Sequence, residues 1–373
     1  MEEEKQLLQN LMDKMERTKT AQLQALIGFD GFVDEVLHVV KTRFSKTEYV
    51  RYETLKEYGA TIAEASGMNQ NFEIVTIRKT MGGNGAILSD TMASQGVKIT
   101  YIGACGKETI HPVFQHFCNQ VDLISVSNPG HTEAIEFKDG KIINSKLDEL
   151  DDVSWESIQK IVGTEHLISL VEKADIIGFG NWSLLLHMTD IWKHILKNIA
   201  PNISKRKKLF IDLANPSKRT KEDIIEALQC IKDFSNYFDV ILGLNKREAI
   251  LIAQLIDEKN TFDLFKIGKY IRENLQLSIL VVHNALESFA VSKEEMTLIH
   301  TPYCNNPKQV TGAGDNFNAG FILGQLLNVE LQEALALGTA SAGYYIRYAK
   351  NADYNDLWRF LHDWKMDELD RKN

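Results

Sequence analysis

Thr311, Gly312, Ala313, Gly314 and Asp315 stand in a row just ahead of the apolar run 317–327, and their types suit an anion site with a carboxylate beside it. Two glycines let the backbone approach a ligand closely. At the start of a helix, unpaired amides and the positive end of the macrodipole draw an anion such as a phosphate. The same field favours an ionised carboxylate, so Asp315 is expected to be a charged acceptor able to orient or deprotonate a hydroxyl. An aspartate is also a good helix cap, and capping alone would account for it.

A turn of this kind works only if strand ends and helix starts reach one edge of a framework. From about residue 99 onward, short β-branched runs at 99–102, 176–179, 209–213, 240–242 and 279–282 alternate with helical patterns at 184–199, 221–231, 247–256 and 262–275. This rhythm predicts an α/β fold, a doubly wound and mostly parallel sheet flanked by helices, with ligands bound at the shared edge of strand exits. Asn181, Asn215, Asn245 and Asn284 each follow such a run, although asparagine is also a common turn residue. Two stretches break the rhythm. Residues 132–146 read as a hairpin around Asp139-Gly140, and 71–78 alternate like a half-buried strand. With 32–40 they predict a small second sheet, either a lid over the strand-exit edge or an appendage used only for dimerisation. The resulting plan has a helical extension at 1–20, a main domain at 21–31, 82–122 and 147–373, and an inserted lid at 32–81 and 123–146.

The composition narrows the function classes. A chain of 373 residues with formal net charge −9 is a poor nucleic-acid binder, and the basic group Lys205-Arg206-Lys207-Lys208 reads as a solvated turn before a strand. Cys105, Cys118, Cys230 and Cys304 lack the spacing of a zinc site or a disulfide framework, which is the pattern of reduced cytoplasmic thiols. The N-terminus has the period of an amphipathic helix through Leu7, Leu8, Leu11, Met12 and Met15 and lacks the features of a signal peptide. No apolar stretch reaches the roughly 18 residues that span a bilayer. A cytoplasmic protein without membrane or nucleic-acid partners is expected.

Several motifs share one order and spacing from about residue 24 to about residue 355. Val310 to Phe317 with Gly320 resembles the C-terminal signature of the ribokinase-like (PfkB) carbohydrate kinases. Met81-Gly82-Gly83-Asn84-Gly85-Ala86, followed by Tyr101-Ile102-Gly103-Ala104-Cys105-Gly106, resembles their N-terminal signature, and Asn245-Lys246-Arg247-Glu248 resembles their Asn-x-x-Glu motif. The resemblance implies a ribokinase-like fold with a β-sheet lid and transfer of a nucleotide γ-phosphoryl group to a sugar hydroxyl. It makes Asp315 the base, and the amides of Gly312, Ala313 and Gly314 the hole for developing phosphoryl charge. Thr311, Asn215, Asn245 and His283 fall on the nucleotide side. Glu248 with Asn245 is the candidate Mg²⁺ position, since this ion keeps its waters and needs few carboxylates; a glutamate at a helix start also complements the dipole without any metal.

For the acceptor, the resemblance points to an aspartate after the first strand. Here the choice lies between Asp30 and Asp34, with Asp34 favoured because it leads into the lid. Gly82 and Gly83 let backbone approach the sugar, and Asn84 or Asn181 can exchange hydrogen bonds with hydroxyls. The chain also departs from the family pattern. Ile87 stands where the family commonly has asparagine, the turn His283-Asn284-Ala285-Leu286-Glu287-Ser288 lacks the usual Thr and Gly, and Gln309 replaces an acid near a potassium site. ATP is the expected donor, with ADP open. The alternatives are a sugar- or nucleotide-binding regulator with little turnover and, more weakly, a dehydrogenase, for which Gly178-Phe179-Gly180 lacks a third spaced glycine. The β-branched edges of 132–146 would be unpaired in an isolated lid, which predicts a homodimer through the lid.

Overall fold

A computed structural model describes residues 2–256 and 263–369. Helix α1 (Glu2–Arg17) precedes β1 (Gln24–Phe29), the lid strands β2 (Phe32–Arg43) and β3 (Tyr49–Arg51), helix α2 (Leu55–Glu64) and β4 (Glu73–Gly82). Helix α3 (Asn84–Ser94), β5 (Lys98–Ala104), the short α4 (Gln115–Cys118) and β6 (Asp122–Ser127) return to the main domain, and β7 (Gly130–Phe137) and β8 (Gly140–Lys146) complete the lid. There follow α5 (Trp155–Ile161), α6 (Thr164–Lys173), β9 (Ile176–Phe179), α7 (Met188–Asn198), β10 (Lys207–Asp212), α8 (Lys221–Phe234), β11 (Phe238–Asn245) and α9 (Lys246–Ile256). The remainder is α10 (Leu264–Asn274), β12 (Ile279–His283), β13 (Glu287–Val291), β14 (Met296–His300), α11 (Ala313–Leu326), α12 (Leu331–Tyr348) and α13 (Tyr354–Lys365). Residue 262, where the sequence pattern starts the helix before β12, lies outside the described residues.

The large sheet has nine strands in the order β14-β13-β12-β11-β10-β9-β1-β5-β6. Strands β12 through β6 in that order are parallel, and the β12-β13-β14 edge is antiparallel. Its strands are apolar on both faces because both are covered. Leu26, Ile177, Leu209 and Leu242 enter one core, while Ile27, Ile176, Phe210 and Ile241, their immediate neighbours in sequence, enter the other. In α11, every residue from Asp315 to Leu326 is buried, as expected of a helix without a polar face. It packs against α12 and α3.

Three expectations change. Residues 122–127 pair in parallel with β5 and belong to the large sheet, so the second lid segment begins near Gly130 rather than at 123. The hairpin around Asp139-Gly140 dominates the local pattern, while the β5–β6 pairing is a long-range contact that the pattern does not reveal. The lid also has a helical layer: α2 and Tyr52 cover Leu37, Val39, Ile135 and Phe137 on one face of its five strands. The N-terminal helix is built into the main domain and is not an extension. Its Leu8, Leu11, Met12 and Met15 are buried, its acidic start and basic end match the macrodipole, and Lys14 Nζ meets the buried Glu333 at 2.6 Å. Among the described residues no helix is long and apolar enough to cross a membrane.

Candidate active site

The turn before α11 is held by side chains behind it. Gly312, at φ 93° and ψ −4°, caps the helix in the left-handed region that favours glycine. The Tyr345 hydroxyl donates to the Thr311 carbonyl at 3.0 Å, and Gln309 Nε2 donates to the same hydroxyl at 2.5 Å. Asn316 Nδ2 donates to the Gly312 carbonyl at 3.1 Å. The amide of Ala313 is taken, since it donates to the Val310 carbonyl at 3.1 Å. This corrects the expectation of three consecutive donors: within 312–315, among the described residues, the amides of Gly312, Gly314 and Asp315 have no protein acceptor.

Asp315 is 8% exposed, and its Oδ1 accepts a hydrogen bond from Asn84 Nδ2 at 2.9 Å. Burial first, then the nearby Asp212, and more weakly Asp30 and Asp34, push its carboxyl well above the usual range, against the pull of the Asn84 bond. In the ligand-free chain, burial thus works against the ionised form that the sequence pattern predicts. A helix end acts locally, whereas desolvation and acids arriving from β10, the β1–β2 turn and β2 act together on a buried group.

Asp30 and Asp34 have different surroundings. Asp30 is fully buried; its Oδ1 accepts from Gly85 N at 3.0 Å and lies 3.2 Å from the Tyr101 hydroxyl, and its Oδ2 accepts from Asn181 Nδ2 at 2.7 Å. Burial raises its pKa and these partners oppose the rise. Asp30 thus ties β1 to the start of α3 and to the β9 exit, where Asn181 sits at φ 58°. Asp34, on β2, faces Thr80 and Thr132 across the two neighbouring strands. Among the described residues, Thr132 supplies its side-chain hydrogen bond, and burial, reinforced by Asp30, pushes its carboxyl up to about 6. Gly82 has to be small, because a Cβ there would lie 2.1 Å from Asp34 Oδ2. The Gly82-Gly83 turn, Asp34 and Asn84 therefore adjoin, with Asp315 beyond Asn84.

On the opposite flank, Asn245 and Glu248 form a reciprocal helix cap. Glu248 accepts from Asn245 N at 2.8 Å and from Asn245 Nδ2 at 2.5 Å, while Asn245 Oδ1 accepts from Arg247 N at 2.9 Å and Glu248 N at 3.1 Å. With its oxygen committed to the cap, Asn245 orients the Glu248 carboxylate. Burial, and then Asp212, push the Glu248 carboxyl up to about 8. Asp212, at the end of β10, escaped the sequence reading. It is held by Ala214 N at 2.6 Å and Asn318 Nδ2 at 2.7 Å, and burial raises its pKa. The available signal was an acid closing an apolar strand at the ligand-binding edge.

A cavity of about 860 Å³ opens beside the turn before α11, lined in part by Gly314, Phe317, His283, Leu286 and Tyr303. The His283 ring lies 4.8 Å from that of Phe317, and burial lowers its pKa to about 4, so it is neutral near pH 7. Asn245 also lines this space. Asn215 does not; it accepts from Ser217 Oγ at 2.6 Å at the start of a short turn. Thr311 is exposed, with its carbonyl turned to Tyr345.

Comparisons with known proteins identify the family. The profile of the prokaryotic ketohexokinase family matches residues 8–364. A ketohexokinase of Haloferax volcanii is 25% identical over 340 residues, which cover 90% of each chain. Among solved structures, a ribokinase from Thermotoga maritima superposes with a TM-score of 0.64 at 17% identity, covering 91% of this chain and 99% of the other. An Arabidopsis thaliana ribokinase complexed with ribose and ATP gives 0.62 at 15%, covering 91% and 98%, and these two structural likenesses bear on the fold. The chain belongs to the prokaryotic ketohexokinase family, and so to the ribokinase-like carbohydrate kinases, which are phosphotransferases with an alcohol group as acceptor.

Proposed function

We propose that this sugar kinase transfers the γ-phosphoryl group of ATP to a hydroxyl of a ketohexose. The observation that carries the reading is the 2.9 Å bond from Asn84 to Asp315, which joins the glycine turn beside Asp34 to the glycine turn at the start of α11. It sets a hydroxyl site and a phosphate site on either side of one carboxylate. In this reading Asp34 accepts from acceptor hydroxyls, with Asn84 and the backbone of Gly82 and Gly83 alongside. Asn181 supports Asp30, and its buried Oδ1 has no partner in the protein. Asp315 takes the proton of the attacking hydroxyl, a task suited to a carboxyl whose proton affinity burial has raised. The amides of Gly312 and Gly314 hold the charge that develops on the phosphoryl oxygens. Thr311 and His283 belong to the donor side.

Magnesium fits beside Glu248. Among the described residues no cluster of three or more ligating side chains could enclose a metal, but a hydrated Mg²⁺ needs only one or two carboxylates. Glu248 and Asp212 are partly buried neighbours whose pKa values are both raised, and a divalent cation would relieve that clustering of acids. The ion would supply charge neutralisation at the donor phosphates. We place the enzyme in the cytoplasm, in keeping with its four free thiols.

The test is a turnover assay with a panel of ketohexoses, ribose and nucleosides, each with ATP–Mg²⁺ and with ADP–Mg²⁺. The expected outcome is ATP-dependent phosphorylation of a ketohexose. Binding of sugar without transfer in a single-turnover experiment would overturn it in favour of a regulator. Transfer from ADP alone would replace the donor.

A further inference from the structure

The cavity beside the catalytic turn has a charge opposite to its surroundings. The chain carries a net −9, and the site beside the cavity is dominated by Asp30, Asp34, Asp212, Glu248 and Asp315. Among the described residues lining the cavity there is no carboxylate, and its cationic side chains are Lys246 and Arg247, since His283 is neutral. Both cations are exposed, and among the described residues neither side chain makes an ion pair or a hydrogen bond.

Their position works against the fold. They are the first two residues of α9, where the positive end of the macrodipole disfavours cations; α1, by contrast, opens with Glu2, Glu3 and Glu4. The facing wall explains what they can do there. In the glycine-free turn between β12 and β13, Asn284 Oδ1 accepts from Leu286 N at 2.8 Å and Glu287 N at 3.3 Å, so these amides are closed on the turn itself and not presented to a ligand. A polyphosphate entering this cavity finds the amides of the α11 turn at one end, and its remaining charge faces α9.

Resting on the donor reading above, we infer that Lys246 and Arg247 bind the non-transferred phosphates of the nucleoside triphosphate, taking a role that the closed Leu286 and Glu287 amides of the β12–β13 turn cannot fill. Lysine offers a point charge and arginine a planar fork, and both form charge-assisted hydrogen bonds to phosphate oxygens. The pair discriminates donors by phosphate number and leaves the acceptor end untouched.

The experiment is calorimetric titration of the full chain with adenosine, ADP–Mg²⁺ and ATP–Mg²⁺, comparing wild type with the double variant Lys246→Gln, Arg247→Gln. Loss of charged hydrogen bonds should weaken ATP binding by about tenfold or more, with adenosine affinity and sugar KM retained. The salt dependence of ATP binding should flatten. The unliganded variant should melt at the wild-type temperature or above it, because the helix end has lost two misplaced cations. Unchanged ATP affinity would overturn the assignment, and so would an equal loss for adenosine and ATP, which would mean general damage to the cavity. A wild type that binds none of these three ligands would instead remove the donor reading, and this assignment with it.

Discussion

Replacing Asp34 by asparagine separates the two candidate acceptor carboxylates. Burial lifts Asp34 from an ordinary 3.8 to about 6. A rise of about two units at 1.36 kcal/mol per unit is about 3 kcal/mol, which partial solvent screening reduces to about 1–3 kcal/mol. Since the folded pKa is the higher one, the folded chain holds this proton more tightly than the unfolded chain. Stability therefore falls as pH rises from about 4 to about 6 and stays lower above that window. Asp34→Asn removes the titration and keeps a carbonyl for Thr132, so the unliganded variant should be more stable than wild type at pH 7 by that amount. For a chain of this length this is about 1–4 °C in Tm, and the gap should close on acidification towards pH 4. Function should move the other way. Loss of a charged acceptor for sugar hydroxyls, about 1.5–3 kcal/mol, raises the sugar KM by about 10- to 100-fold, and the wild-type KM should rise as pH falls below about 6. Asp30→Asn is the control: an amide keeps one acceptor oxygen, so its NH2 meets the other of the two donors, Gly85 N or Asn181 Nδ2, and this should destabilise the fold by about 1–3 kcal/mol. Melting curves between pH 4 and 8 with sugar KM values decide the matter. An unchanged KM in Asp34→Asn, or a stability gap independent of pH, would refute the reasoning.

Asp315→Asn should lower kcat by about 10²-fold or more with sugar affinity retained, and wild-type kcat should climb with pH as the raised carboxyl ionises; a near-normal kcat would remove Asp315 as the base. Glu248→Gln should raise the Mg²⁺ concentration for half-maximal rate more than it changes the sugar KM, and an unchanged Mg²⁺ titration would leave Glu248 only its capping bonds to Asn245. Ile143, 57% exposed on the lid face that carries Asp34, is expected to meet a second lid in a homodimer, and light scattering showing a monomer across micromolar concentrations would exclude this. Gln309 carries no charge and is bonded to Tyr345, so K⁺ should activate little over Na⁺ at constant ionic strength and Gln309→Asp should gain K⁺ dependence; strong activation of the wild type would show that other oxygens suffice.

What could be read from the order of residues is what depends on neighbours in the chain. The apolar runs of β5, β9, β10, β11 and β12 and the amphipathic period of α1 report the two-sided sheet and its cover, because strand and helix periods are local. Likewise Gly312, Gly314 and Asp315 mark an anion-binding helix start through backbone rules that hold in any fold. Tertiary structure decided the rest. Asp30 and Asp34 are four residues apart and chemically identical, yet one meets Gly85, Tyr101 and Asn181 from distant elements while the other is left open beside Gly82. The proton affinity of Asp315 is set by burial and by acids of β10, the β1–β2 turn and β2, none of them near it in sequence. Asp212 became visible only once β10 placed it beside Glu248, and the bond of Asn84, itself legible in the sequence, to Asp315 only once α3 packed on α11. Desolvation and Coulomb interactions depend on distance in space, and the fold alone sets those distances.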